Sequence, residues 1–439
     1  MGSQKFFIET FGCQMNVNDS EKAAGLLQAR GLTASETPES ADVIFVNTCA
    51  VRERAAEKLY HAVGRYRALK KEKPELRIAV GGCVAQLQGA EIIDRAPAID
   101  VLVGTHNLNR LPELLDLNRE TGERQSSIDT KADAFTIPAE SVAHSSRVRA
   151  YVTIVEGCNH VCSFCVVPRT RGREVCRSPH DILSEIRGLL DRGYHEVMLL
   201  GQTVNAYQYG DVDFPALLRL IHDADERLRR LRFTTSHPAH VDERFARCFS
   251  DLPRLAPYLH LPVQSGADRI LSDMRRGYTG AEYLKKLVLL RAHRPDIALT
   301  ADVIVGYPGE TETDFEATVR LVEDARYDGL FVFLYSPRPG TTAVRLADDV
   351  PELEKKRRFK VLNELQQRFQ RERNQKMLGQ TEKVLIEEVL EGEAKGRTAH
   401  FRLVHIPLDE RDRVQVGDLV AVSVAAAYPN SLRATLPPR

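Results

Sequence analysis

Val155-Glu156-Gly157-Cys158-Asn159-His160-Val161-Cys162-Ser163-Phe164-Cys165 sets three cysteines at C-x3-C-x2-C directly behind the apolar run Tyr151 to Val155. A disulfide would leave one of the three unpaired, whereas one loop can turn all three sulfurs to a single metal centre. Three thiolates are one short of the four that normally hold a [4Fe-4S] cube. A cube on this loop therefore keeps one iron open, as catalytic metal sites keep an exchangeable position. Zinc is the competing occupant, because thiolates bind it well and Cys176 offers a fourth sulfur. Structural zinc more often pairs two separated C-x2-C knuckles.

Outward from the loop the chain alternates β-rich and helical patterns. Strands are expected at Ala150 to Val155, Glu196 to Leu200, Leu231 to Thr235, Tyr258 to Leu261, Leu299 to Val305 and Leu330 to Tyr335. Helices are expected between them, at about Pro179 to Arg192, Phe214 to Glu226, Asp242 to Ser250, Ala267 to Met274, Gly280 to His293 and Glu312 to Asp324. Six β/α units over residues 149–351 fit a partial (β/α)6 barrel with its site at the carboxyl ends of the strands. The cysteine loop stands on that face, and so do Gly201, Gln202, Ser236, His237, Gln264, Gly306 and Glu310, the candidates to contact a cofactor. His237 and His260 read equally as hydrogen-bonded structural histidines.

Residues 1–117 show the same alternation, with strands at Lys5 to Glu9, Val43 to Asn47, Arg77 to Val80 and Asp100 to Val103. Helices are expected at about Asp19 to Arg30, Arg52 to Lys71 and Ala85 to Asp94. Cys13, Cys49 and Cys83 each follow one of the first three strands, in the loop before the next helix. In an open α/β sheet those loops share the carboxyl edge, where ligands bind. Any one of these cysteines alone reads as a small buried hydrophobe. Their recurrence at three equivalent positions favours a second three-cysteine site.

Residues 118–148 are polar, Ser/Thr-rich and without clear period, and read as a linker with room for short extended pieces. Residues 352–379 carry a helical stripe of Phe359, Leu362, Leu365 and Phe369; up to Lys376 they hold nine Lys/Arg against four Glu. Such a basic helix is either a solvated face or a guide for a phosphate backbone. In residues 380–439, short alternating segments at Glu382 to Val389, His400 to Ile406, Leu419 to Val424 and Leu432 to Leu436 suggest a small OB-like β-barrel.

Bulk properties narrow the class further. A chain of 439 residues has room for roughly three domains at about 150 residues each. Its 61 basic and 61 acidic residues give no global case for nucleic acid or membrane. The absence of a long apolar run and of a secretory h-region reads as a cytoplasmic protein with no membrane partner. Eight cysteines in so long a chain are too sparse for a disulfide scaffold and suit metal binding or catalysis.

At these residues the sequence resembles the radical S-adenosylmethionine superfamily and, within it, the methylthiotransferases. The resemblance runs nearly end to end. It is carried by Glu9-Thr10-Phe11-Gly12-Cys13-Gln14-Met15-Asn16, Asn47-Thr48-Cys49-Ala50-Val51-Arg52-Glu53, Gly81-Gly82-Cys83-Val84-Ala85-Gln86, Gly157 to Pro168, Thr170-Arg171-Gly172-Arg173-Glu174, Thr235-Ser236-His237-Pro238 and His260-Leu261-Pro262-Val263-Gln264-Ser265-Gly266. The Gly12-Cys13-Gln14-Met15-Asn16 string is similar to the branch acting on isopentenyladenosine in tRNA. The threonylcarbamoyladenosine branch tends to G-C-K-V-N and the ribosomal-protein branch to G-C-P-K-N. Arg169, Cys176 and Thr203 depart from the usual Tyr, Ser and Asn.

The resemblance implies two [4Fe-4S] clusters, one on Cys158, Cys162 and Cys165 and one on Cys13, Cys49 and Cys83. It implies S-adenosylmethionine on the open iron of the first, with Gly306 to Glu310 as the adenine- and methionine-side loop. One-electron cleavage there yields a 5′-deoxyadenosyl radical, while the second cluster holds the sulfur to be inserted and a second S-adenosylmethionine methylates it. The implied product is 2-methylthio-N6-isopentenyladenosine (2-methylthio-N6-dimethylallyladenosine) at position 37, in the anticodon loop of tRNA. Residues 380–439 become a TRAM RNA-binding domain, and Arg171 and Arg173 become candidates for a tRNA phosphate. An electron donor and a sulfur donor are required, neither of which the sequence identifies. The alternatives are methylthiolation of threonylcarbamoyladenosine or of a protein side chain, or an RNA-binding scaffold with structural zinc.

Overall fold

Strand Val43–Thr48, V-I-F-V-N-T, is buried along its whole length, as a strand covered on both faces of a parallel sheet must be. In the computed structural model, which describes residues 4–50, 55–129, 135–409 and 411–437, it pairs with Lys5–Phe11 on one side and Arg77–Gly81 on the other. Thr33–Ala34 lies outside Lys5–Phe11, and Val101–Val103 then Gln125–Ser127 lie beyond Arg77–Gly81, completing a six-stranded, all-parallel sheet. This sheet is the core of the first of two compact units, which runs to Ser145 and also takes in Val155–Val161 and Cys165–Arg177. Apolar side chains fill both faces: Ile44, Val46, Ile78 and Val80 on one, Val43, Phe45, Ala79 and Val101 on the other.

The strands expected in this unit are present within one or two residues, but several features differ. The first helix spans Gln14–Ala29 rather than beginning near Asp19. Its first turns are polar, and Asn16, Asn18, Asp19, Ser20 and Glu21 are nonetheless buried, so a hydrophobic period could not reveal them. The expected Ala85 to Asp94 helix is two, Cys83–Gln88 and Ala90–Arg95, separated at Gly89 with φ 55°. The helix expected from Arg52 is described from Ala55 to Glu72, and Val51, Arg52 and Glu53 lie outside the described residues. The supposed linker at 118–148 holds the end of helix Leu111–Thr121 and the sixth strand, Gln125–Ser127. Three polar residues on a sheet edge leave no alternation to read. Further on, Ser145 donates twice to the Glu21 carboxylate, from backbone and hydroxyl.

The second unit takes Ser146–Ile154, Cys162–Phe164 and everything from Ser178. Strands Arg149–Thr153, Glu196–Leu200 and Arg230–Phe233 form one parallel sheet, and Tyr258–His260, Ala298–Val305 and Gly329–Leu334 another. Leu231 joins the first sheet to the segment leading into the second, donating to the Arg254 carbonyl at 2.8 Å and accepting from Ala256 N–H at 2.9 Å. Six parallel strands with helices Pro179–Asp191, Phe214–Ala224, Glu243–Asp251, Asp268–Asp273, Gly280–His293 and Glu312–Ala325 between them make the expected partial barrel. Capping boxes at Thr279/Glu282 and Thr311/Asp314 start two of these helices.

Helix Glu352–Gln375 straps the barrel. Seven of its eight cations pair with carboxylates: Lys355 with Asp348, Lys356 with Glu352, Arg357 with Glu312, Arg358 with Glu310, Lys360 with Glu364, Arg368 with Glu323 and Arg373 with Asp328. Lys355 and Arg358 are buried. The charge excess that suggested phosphate steering is thus largely neutralised within this unit. Beyond it, Thr381–Leu390, Glu393–Thr398, Leu403–Pro407, Leu419–Ala427 and Ser431–Thr435 close a five-stranded barrel. Glu393–Thr398 is a strand lying between the expected segments Glu382 to Val389 and His400 to Ile406, in a stretch that holds Gly392 and Gly396. A Cβ on its Gly396 would stand 2.2 Å from the Leu385 carbonyl oxygen, so the residue that looks like a turn is what the strand contact requires.

Candidate active site

In the first unit, the loops after three parallel strands bring Cys13, Cys49 and Cys83 to one edge. Cys13 is the N-cap of helix Gln14–Ala29, its carbonyl accepting from Val17 N–H at 3.1 Å. Cys49 N–H donates to the Phe11 carbonyl at 2.8 Å, tying the second loop to the first. Cys83 opens helix Cys83–Gln88, so it sits at a helix N-terminus. A hydrogen bond from Cys49 draws the Cys13 thiol down to about 6, with burial opposing and Asn16 and Arg171 assisting. None of the eight cysteines stands in a disulfide.

The residues around these sulfurs have definite tasks. Asn47 donates to the Asn16 carbonyl at 2.8 Å and to Ser20 Oγ at 3.0 Å, and accepts from Asn16 Nδ2 at 3.1 Å. Gly82 has φ 91°, and a Cβ there would meet Asn47 Oδ1 at 2.3 Å. Arg171 does not reach solvent for a phosphate. It is 3% exposed and makes a two-point ion pair with Asp19, and its charge acts on Cys13 and Cys83. Burial opposes that charge, yet the nearby anions hold the guanidinium protonated well above its ordinary range. Beside it a cavity of about 630 Å³ is lined by Gln86, His106, Glu156, Arg169, Arg171 and Arg173 among others. The departure at Arg169 thus lies on a cavity wall.

The opening loop is built as tightly. Gly157 has φ 80°, and a Cβ would strike the Arg173 carbonyl oxygen at 2.1 Å. Val155–Glu156 pairs antiparallel with Val175–Cys176, which occupies Cys176 in a short ribbon. Cys165 Sγ accepts from Val167 N–H at 3.5 Å. The boundary between the two units runs through the loop, with Cys158 and Cys165 in the first and Cys162 in the second. Within the second unit, Cys162 Sγ accepts from Arg276 Nη1 at 3.3 Å and Ser163 Oγ lies 2.8 Å from the Tyr307 hydroxyl. N–H donors on ligand sulfurs are among the features that tune iron–sulfur centres, so these sulfurs suit a thiolate-held cluster.

The other candidates stand at strand ends, in different roles. Gly201 and Gln202 follow Glu196–Leu200 and Ser236 and His237 follow Arg230–Phe233. Thr235 and Gln264 have φ of 69° and 77°, left-handed backbone that costs a non-glycine residue of order 1–3 kcal/mol and concentrates at ligand sites. Ser236 Oγ is buried without a protein partner. His237 caps its own turn, Nδ1 accepting from Ala239 N–H at 3.2 Å, while its backbone N–H and carbonyl bond Asn205. His260 lies 2.9 Å from Thr300 Oγ1 and 3.4 Å from Asp302. Gly306, φ 73°, donates to Glu310 Oε2 at 2.6 Å, and Arg358 binds the same oxygen at 2.7 Å. Glu310 therefore shapes its loop, and burial pushes its carboxyl up despite Arg358. Asn16 and Asn47 stand in the strings that carry the resemblance but with no role of their own attached, and Asp19 lies outside those strings, in a polar run where a buried side chain looks like a solvated one. Arg276 lay outside every string of the resemblance.

A parallel β/α barrel with three cysteines behind its first strand defines a radical S-adenosylmethionine protein, and the sequence matches the Radical SAM superfamily over residues 152–322. Residues 5–104 match a second family, described as Uncharacterized protein family UPF0004. The chain is 47% identical to the tRNA-2-methylthio-N(6)-dimethylallyladenosine synthase of Chromobacterium violaceum, covering 98% of each chain. It is 44% identical to the synthase of that name from Paraburkholderia xenovorans, covering 99% of this chain and 97% of the other. Among solved structures, the radical S-adenosylmethionine methyltransferase TsrM from Kitasatospora setae superposes with a TM-score of 0.56 at 16% identity, over 78% of this chain and 77% of that one, a likeness of fold. The chain belongs to the family of tRNA-2-methylthio-N(6)-dimethylallyladenosine synthases.

Proposed function

We propose that this protein converts N6-dimethylallyladenosine at position 37 of tRNA to its 2-methylthio derivative, working from two three-cysteine sites. The observation that carries the reading is the pair of cysteine sets, both free of disulfides and set on strand ends of two parallel β/α folds. Cys158, Cys162 and Cys165 would hold one [4Fe-4S] cluster, and Cys13, Cys49 and Cys83 a second. With S-adenosylmethionine, such a cluster supplies the one-electron chemistry needed at an adenine C–H, which has too little acidity for a general base.

The protein's own residues hold and orient. Asn47 fixes the Cys13 loop against its neighbour, and Gly82 lets Cys83 approach. The Asp19–Arg171 pair sets a buried positive charge beside those sulfurs, which favours thiolates over thiols. Among the candidate cofactor contacts, Ser236 is the one whose buried hydroxyl still lacks a protein partner; Gly201, Gln202, Gln264 and Gly306 contribute backbone and amide groups at the same strand ends, while His237 and Glu310 support them. The five-stranded barrel is read as the TRAM tRNA-binding domain, helped by phosphate contacts of Arg169 and Arg173 at the cavity. The setting is read as cytoplasmic, with a low-potential electron donor and a sulfur donor still to be named; among the described residues no helix is long and apolar enough to cross a membrane.

The two sites are separable by substitution. Anaerobic reconstitution is expected to give about eight irons per chain. Cys158→Ala is expected to abolish cleavage of S-adenosylmethionine, whereas Cys13→Ala retains cleavage and loses thiolation. Retained thiolation in Cys13→Ala, or iron saturating at about four per chain, contradicts the second site. A colourless protein carrying zinc contradicts both.

A further inference from the structure

Arg276 sits in Met274-Arg275-Arg276-Gly277-Tyr278, behind helix Asp268–Asp273, with Arg275 and Gly277 on either side at φ 57° and 73°. This turn carries the guanidinium inward, where the residue is 7% exposed. Nε donates to the Tyr278 hydroxyl at 2.9 Å, Nη2 to the Pro262 carbonyl at 3.0 Å and Nη1 to Cys162 Sγ at 3.3 Å. Tyr278 is fixed in turn by donating to the Val263 carbonyl at 2.9 Å.

Other buried arginines of the chain each face a carboxylate: Arg171 faces Asp19, Arg232 faces Glu196 and Arg358 faces Glu310. Among the described residues, no carboxylate forms an ion pair with Arg276. A buried cation without an anion costs several kcal/mol. Tyr278 does not supply the anion, because burial raises its hydroxyl above the ordinary range. The remaining partner able to carry negative charge is the Cys162 sulfur.

We propose that Arg276 is a positioning residue whose fixed charge sets the one-electron reduction potential of the cluster held through Cys162. The proposal rests on the reading of Cys158, Cys162 and Cys165 as ligands. A cube in its oxidised state on three thiolates carries one net negative charge. One electron from a low-potential one-electron donor makes it two, with no bond formed or broken in that step. A guanidinium on a ligand sulfur favours the more negative member of the couple and so raises its potential. Its hydrogen bond acts in the same direction.

The test is an electron-paramagnetic-resonance redox titration of the reconstituted full-length chain, with dithionite as reductant. Cys13→Ala, Cys49→Ala and Cys83→Ala are introduced into every sample to remove the other cluster's signal. Arg276→Gln is expected to keep the iron of its parent but to be harder to reduce. At the parent's midpoint its ratio of reduced to oxidised cluster falls at least tenfold, about 59 mV for a one-electron couple. Full iron with an unmoved midpoint overturns the proposal. Should Arg276→Gln lose its iron, Arg276→Lys decides: it keeps the parental midpoint if charge sets the potential, and a tenfold or larger displacement overturns the proposal. A parent that binds no iron through the remaining cysteines overturns the ligand reading and this proposal with it.

Discussion

Asp19 and Arg171 show how far a residue's role can lie from its appearance in sequence. Arg171 stands in a basic string, Thr170-Arg171-Gly172-Arg173-Glu174, that invites an RNA contact, yet it is buried while Arg169 and Arg173 on the same cavity are exposed. The buried Arg171 charge is held by Asp19. Asp19→Asn is expected to destabilise the protein by about 3–5 kcal/mol, since it leaves a buried guanidinium without its anion. An Asp19→Leu/Arg171→Met double variant is expected to recover most of that loss in urea unfolding, because well-packed apolar groups often replace a buried pair at little cost. A double variant as unstable as the single one would mean that the charge itself holds these loops. The six cysteines stand out in the sequence because three share one loop and three recur at matching strand ends. Asn16 and Asn47 lie in the strings that carry the resemblance, but their pairing was not legible, because it joins positions 31 apart in the chain.

At the scale of elements, the barrel strands and helices could be read to within a residue or two because each strand is an apolar run bounded by turn residues. The failures share a cause. Gln125–Ser127 is short and polar, the start of helix Gln14–Ala29 is polar but buried, and Glu393–Thr398 contains a glycine. Each is held by pairing or by side-chain hydrogen bonds rather than by hydrophobic periodicity. Gly396→Ala is expected to cost about 1–3 kcal/mol, because the added methyl meets the Leu385 carbonyl oxygen and neighbouring backbone. Amide exchange should then rise along Thr381–Leu390 and Glu393–Thr398; unchanged exchange would place the close approach elsewhere. Thr311→Ala, which removes a capping box from helix Glu312–Ala325, is expected to cost about 1 kcal/mol, read as a lower unfolding midpoint.

For the molecule as a whole, the balance of 61 basic and 61 acidic residues hides how the charges are used. The strap helix neutralises most of its cations within its own unit. At the amino ends of the first three barrel strands, buried Glu196 meets Arg149, Arg230 and Arg232. Arg230 and Arg232 also donate to carbonyls of Arg397, Thr398 and Ala399 in the small barrel. Burial would raise the Glu196 carboxyl, but Arg232, Arg149 and Arg230 hold it at about 2. A carboxyl depressed in the folded state contributes stability above its ordinary value of 4.5, and that contribution is lost as pH falls towards 2. Glu196→Gln is therefore expected to be less stable by about 3–5 kcal/mol near neutrality, with the gap to the parent closing as pH falls through that window. A gap independent of pH would mean that packing, not charge, accounts for the loss.

The central claim concerns what the two cysteine sites accomplish together, and mass spectrometry of tRNA nucleosides from cells with and without the gene tests it most directly. Loss of 2-methylthio-N6-dimethylallyladenosine with accumulation of N6-dimethylallyladenosine is the expected result, restored by the intact gene and not by Cys13→Ala. An unchanged level of the methylthio nucleoside in cells lacking the gene, or loss of the methylthio mark from threonylcarbamoyladenosine instead, would contradict it.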